Sequence, residues 1–238
     1  MKADAIIFDK DGTLIDFDAF WVSVSVKAIE KVLDKLDMRC VPVTEILEAF
    51  GVHDAITDIE GVLCKGTYEQ LGQIAYEILK KYGCTASCDE VTGMVIGAFN
   101  DNTDAGIVKP TSPQLADVLS VLKHRGKKLA VVTTDNEIIT RKCLKVLGVE
   151  ALFDAIYTDD GIHPTKPDPY CVYDICERFS LDKSRVVMVG DTMTDVRFAK
   201  NAGISVIGIA KTEKNKQILA PYADAVVPDP ASLLQVLD

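Results

Sequence analysis

The stretch AIIFDKDGTLIDF, residues 5–17, decides how this chain is read. Residues 5–8 are an unbroken apolar run, the pattern of a strand covered on both faces rather than one. The run then breaks into two acids, Asp9 and Asp11, around Lys10. Burying charge is costly unless a cation or hydrogen bonds compensate. Acids at the end of a buried strand therefore point to chemistry, and what they need must come from elsewhere in the chain.

The rest of the chain repeats the opening pattern. Apolar runs recur at 128–132, 155–157, 185–189 and 204–209, with a weaker one at 225–227. Helical periodicity lies between them at 113–124, 136–147, 168–179 and 194–202, and glycines 126, 148 and 203 follow three of these. Strand–helix alternation predicts an α/β fold built on a doubly wound parallel sheet. Residues 16–107 differ: they show no convincing buried strand but helical patterns at 19–36, 43–50, 68–82 and 89–100. The expectation is an all-helical cap at 16–107, inserted into a core of 1–15 plus 108–238. Such an insertion would sit as a lid over the carboxyl ends of the strands, where open α/β sheets place ligands.

Composition narrows the function. Of 238 residues, 48% are hydrophobic, enough for a packed interior and too many for a disordered chain. Lys and Arg number 26 against 36 Asp and Glu, a net charge of −10, which argues against a nucleic-acid binder. An acidic protein that handles an anion needs a local positive site, from a metal or selected lysines. The seven cysteines are odd in number and form no CxxC pair, so scattered reduced thiols are expected. With no signal-peptide pattern and no membrane-length apolar run, the sequence predicts a soluble cytoplasmic protein that engages no membrane.

The strand ends carry a second pattern. The first run ends in DKDGT (9–13), the second in Thr133 and Thr134, and a later one in GDTMTD (190–195), with Asp191 and Asp195. A proline-rich segment, HPTKPDP (163–169), holds Lys166. A parallel sheet brings such ends to one edge. Carboxylates, hydroxyls and a lysine together suit Mg²⁺ and a phosphoryl group, the carboxylates holding the metal and the ammonium and hydroxyls the phosphate oxygens. Singly, each has a plainer reading: Thr133 and Asp191 as helix caps, Asp195 as a first-turn acid, Lys166 as a solvated loop lysine. An EF-hand is excluded, because the third acid and the glycine are out of register.

Taken in order, these four segments resemble the haloacid dehalogenase-like superfamily over the whole chain. The likeness is greatest to its phosphatases with a helical cap after the first motif, of the phosphoglycolate and sugar-phosphate type. The resemblance implies that Asp9 attacks phosphorus to form an aspartyl-phosphate, and that Asp11 serves as general acid and then base. It implies Mg²⁺ held by Asp9, the backbone carbonyl of Asp11 and Asp191, phosphate bound by Gly12, Thr133, Thr134 and Lys166, and Asp195 orienting Lys166 or a metal-bound water. One departure is Thr134, where the family usually carries asparagine. The implied activity is Mg²⁺-dependent hydrolysis of a small phosphorylated metabolite. Alternatives are a phosphomutase or phosphotransferase resembling β-phosphoglucomutase, or a non-catalytic regulatory homologue. Asp11 disfavours a dehalogenase, which needs no leaving-group acid. A phospho-relay receiver would be half as long, with its acceptor on a middle strand.

Four further features are weighed. Strand alternation turns the Lys10 side chain away from both acids, toward the cap or solvent. His163 reads first as a surface loop histidine, with a substrate contact as the alternative, and Lys65, in CKGT (64–67), is a candidate substrate contact. Phe17, Phe20 and Trp21 read as the core stripe of a helix, with the lining of the pocket as the alternative.

Overall fold

A computed structural model describes all 238 residues. The chain divides into two compact units, Met1–Asp16 with Val108–Asp238, and Phe17–Ile107. The first unit opens with β1 (Ala5–Phe8). The second contains a π-helical turn (Asp18–Val22), α1 (Ser23–Lys35), α2 (Val43–Ala49), β2 (Val52–His53), β3 (Ile56–Thr57), α3 (Val62–Lys65), α4 (Tyr68–Lys81) and α5 (Cys88–Asp101). The first unit resumes with α6 (Leu115–His124), β4 (Lys128–Asn136), α7 (Glu137–Val146), β5 (Ala155–Asp159) and α8 (Tyr170–Phe179). It closes with β6 (Val186–Gly190), α9 (Met193–Ala202), β7 (Ser205–Ile209), α10 (Glu213–Leu219), β8 (Ala225–Val227) and α11 (Leu233–Val236).

The α/β expectation holds. Six parallel strands run in the order β5-β4-β1-β6-β7-β8, with Phe8 of β1 level with Val131 of β4 and Val189 of β6. The unbroken apolar strands follow from two cores. Ile6, Phe8, Leu129, Val131, Val187 and Val189 pack with Leu115, Val118, Leu119 and Leu122 of α6. Their alternate neighbours Ala5, Ile7, Ala130, Val132, Val186 and Met188 pack with Val172 and Ile175 of α8 and Val196 and Ala199 of α9. Successive residues of a strand point to opposite faces, so a sheet covered on both sides needs apolar residues at every position. Reversal of strand order on either side of β1 makes its carboxyl end the place where an open sheet accepts a ligand.

Two expectations are corrected. The Phe17–Ile107 unit is mainly helical, with capping boxes opening α4 (Thr67, Gln70) and α5 (Ser87, Glu90), but it also contains a small antiparallel hairpin, β2–β3. Asp54 and Ala55 turn it with φ of 51° and 61°, the left-handed pair that a tight hairpin turn requires. The Asp18 carboxylate fastens it by accepting the Thr57 N–H at 2.9 Å and hydroxyl at 2.6 Å. Two-residue strands are too short to show alternation, and His-Asp-Ala carries no glycine turn signal. The second correction is β4, which runs to Asn136 and not to 132, because its pairing with β5 resumes beyond an irregularity between Val132 and Asn136. All seven cysteines are free, and no helix is long and apolar enough to cross a membrane.

Candidate active site

The site grows from the carboxyl end of β1. Asp9 donates its N–H to the Val189 carbonyl at 2.9 Å, extending the β1–β6 pairing by one residue. The chain then turns. The Lys10 carbonyl accepts from Leu14 and Ile15 at 2.8 and 2.9 Å, and the Gly12 N–H donates to the Ile15 carbonyl at 2.8 Å. Gly12 has φ of +76°, and a β-carbon there would overlap the Asp191 carboxylate. Gly12 thus provides space for Asp191, while its own amide is committed to the turn. Gly190, the last residue of β6, does the same for Asp195, whose side chain occupies the place of a β-carbon.

Lys166 closes the group. Its buried ammonium donates to Asp9 and, at 2.7 Å, to Oδ1 of Asp195. Oδ2 of Asp195 accepts from the Thr192 hydroxyl at 2.7 Å and the Thr192 N–H at 3.0 Å, forming the capping box that opens α9. One carboxylate therefore starts a helix and holds the lysine, with both oxygens engaged. The Thr13 hydroxyl, fully buried, donates to Oδ1 of Asp191 at 3.3 Å.

Charge is out of balance here. Asp9, Asp191 and Asp195 each bring a carboxylate oxygen within 4.8 Å of the others, facing one ammonium. Burial pushes the Asp9 carboxyl up to about 7; Lys166 pulls it down, and Asp195 and Asp11 raise it further. Burial and the neighbouring Asp9 and Asp195 hold Asp191 well above the usual carboxylate range. Burial opposes the charge of Lys166, yet Asp195 and Asp9 outweigh it and hold its pKa above the ordinary lysine value. Hard oxygen donors with uncompensated negative charge fit a divalent cation, so this aspartate cluster can hold a metal ion.

A pH dependence follows. A carboxyl whose folded pKa is raised favours the fold below its unfolded pKa, and that advantage is lost as pH rises through the folded value. For Asp9 the window runs from about 4 to about 7. A cation that binds the ionised pair restores what is lost. The rise in Tm on adding Mg²⁺ should therefore grow between about pH 5 and pH 8. Thermal melts with and without Mg²⁺ across that range check this, and a Tm gain independent of pH would contradict it.

The structure gathers Asp9, Gly12, Lys166, Asp191 and Asp195. Thr133 is buried at the same sheet edge, its hydroxyl accepting the Asp135 N–H at 3.1 Å, whereas Thr134 is exposed. Lys10 is a correction. It does not face solvent but is fully buried, its ammonium 2.7 Å from Oδ2 of Asp11 and 3.0 Å from Oδ2 of Asp135. Alternation fails because the chain turns at Lys10, and a buried ammonium must meet carboxylates. Asp11 accordingly engages Lys10, while Asp9 engages Lys166. His163 is exposed, paired with Asp160 at 2.7 Å and stacked on Tyr170. Lys65 is exposed at the end of α3 and pairs with Glu60. Phe20 and Trp21 lie in the interior of the Phe17–Ile107 unit, edge to face.

The sequence reading missed three residues: Asp135, Gly190 and Thr192. Asp135 lies three residues past the last apolar residue of its run, behind Thr133 and Thr134, so it lacked the signal that marks Asp9. Thr192 carried the spacing of a capping box with Asp195.

Comparison with known proteins bears on the family of the chain. The chain is 33% identical over 221 residues to the pyrophosphatase PpaX of Bacillus velezensis, covering 93% of this chain and 89% of that one. It is 29% identical over 231 residues to a phosphoglycolate phosphatase of Neisseria meningitidis, covering 94% and 87%. Its fold matches the crystal structure of a predicted phosphoglycolate phosphatase from Haemophilus somnus with a TM-score of 0.73 and 21% identity, over 99% and 98% of the two chains. A model of the haloacid dehalogenase-like hydrolases matches residues 3–203. The chain belongs to the haloacid dehalogenase-like hydrolases.

Proposed function

We propose that this hydrolase is a Mg²⁺-dependent phosphatase that cleaves a small phosphomonoester through a phosphorylated Asp9. The observation that carries the reading is the cluster of Asp9, Asp191 and Asp195 beside the buried Lys166 at the end of the central strand. Asp9, Asp191 and the backbone carbonyl of Asp11 would hold the metal. When bound, Mg²⁺ supplies positive charge against the phosphoryl oxygens and offsets the excess of carboxylates.

A carboxylate oxygen of Asp9 bonds to phosphorus as the bond from phosphorus to the ester oxygen breaks. Asp11 gives the leaving oxygen its proton, then takes one from water as that water attacks phosphorus and frees Asp9. Lys166 and the Thr133 hydroxyl hold phosphoryl oxygens, and Asp195 keeps Lys166 in place. Thr134, exposed, would offer the phosphate its backbone N–H and its hydroxyl. The relatives named above act on pyrophosphate and phosphoglycolate by name. Those two compounds head the test panel, followed by sugar phosphates.

The experiment is phosphate release from that panel, with Mg²⁺ and with chelator, ranked by kcat/KM. The reading expects one phosphate per ester consumed, only with the divalent ion. An isomerised product without phosphate release would replace it with a mutase.

A further inference from the structure

The buried Lys10 lies outside the reaction described above, and the structure surrounds it with acids. We propose that Lys10 and Asp135 form a positioning pair that sets the place of the Asp11 carboxyl for proton transfer. This rests on the phosphatase reading, in which Asp11 carries the proton.

The pair is anchored from both sides. Asp135 donates its N–H to the Thr133 hydroxyl at 3.1 Å, and its Oδ1 accepts the Asn136 N–H at 3.0 Å. Asn136 in turn caps α7, accepting the Ile139 N–H at 2.9 Å. Oδ2 of Asp135 then meets the Lys10 ammonium, whose backbone is fixed by the turn. Lys10 spans the carboxyl ends of neighbouring strands β1 and β4 and presents its ammonium to Asp11 at 2.7 Å. The Lys10 side chain is 0% exposed and that of Asp11 19% exposed. Each acid of the reaction thus has its own buried lysine: Lys166 for Asp9 and Lys10 for Asp11. An apolar residue at position 10 would pack without the desolvation penalty that a buried ammonium and two carboxylates carry. What the lysine adds is a fixed place for the Asp11 carboxyl.

A role in placing the proton carrier has a signature that a structural role lacks. The 4-nitrophenolate group leaves without a proton, whereas the alkoxide of phosphoglycolate needs one. The ratio kcat/KM covers only phosphorylation of the enzyme, the step in which that proton is given. The Lys10→Met variant should lose about 10²-fold in kcat/KM for phosphoglycolate and only a few-fold for 4-nitrophenyl phosphate. In an Asp11→Asn background, replacing Lys10 should cause no further loss. Lys10→Met leaves Asp135 as a lone buried acid, so the charge-matched Lys10→Met/Asp135→Asn variant guards against misfolding and must show the same dependence on leaving group. Equal losses on both esters, or a further loss on top of Asp11→Asn, would overturn the positioning role and leave the phosphatase reading standing. A wild type that hydrolyses neither ester removes both.

Discussion

Asp9→Asn is expected to lower kcat by at least about 10⁴-fold, because an amide cannot attack phosphorus and no neighbouring group takes its place. The fold should survive. Burial pushes the Asp9 carboxyl up to about 7, so ionisation there works against the folded state near neutral pH. Asparagine carries no charge and keeps an oxygen to accept from Lys166. The metal-free variant should accordingly melt no lower than the wild type at about pH 8, where Asp9 is ionised. Activity assays paired with thermal melts check both halves. Retained turnover would contradict the covalent mechanism, and a collapsed Tm would make Asp9 structural.

Lys166→Met should damage both stability and catalysis. Lys166 is buried between Asp9 and Asp195, and removing it leaves carboxylates facing one another with no counter-charge. Breaking a buried pair in this way is expected to destabilise by roughly 3–5 kcal/mol. The loss should be smaller at about pH 5, where the raised carboxyls take up protons, and largest at about pH 8. Added Mg²⁺ should recover part of it. Catalysis should fall by about 10²–10³-fold, the usual result of removing a donor aimed at developing negative charge. Denaturant titrations at both pH values, with and without Mg²⁺, check the stability half. A loss unaffected by pH and metal would mean that Lys166 only fills space.

The fold was legible because burial leaves a mark on strands. Residues Ile6 to Phe8 and Val186 to Val189 face packed helices on both sides, so no polar residue interrupts them. The acids were legible for the opposite reason, since Asp9 and Asp191 stand where such runs stop. Lys10 was misread because strand alternation was carried one residue past the turn that begins there. Its partner Asp135 was hidden by the same kind of boundary, since β4 continues beyond the irregularity after Val132. Ion pairs between strands depend on where each strand ends, and local periodicity does not record that. The β2–β3 hairpin escaped notice because its strands are shorter than one period of alternation can reveal.

The central claim is that the phosphoryl group passes through Asp9. Asp11→Asn slows hydrolysis of the phosphorylated enzyme, so it is the form in which to trap it. This variant is mixed with Mg²⁺ and 4-nitrophenyl phosphate, quenched in acid within the first turnover, digested and read by mass spectrometry. The account predicts one phosphoryl group on the peptide that contains residue 9, absent when Asp9 is also replaced. Phosphate released with that peptide unmodified, or the phosphoryl group found on another residue, would contradict it.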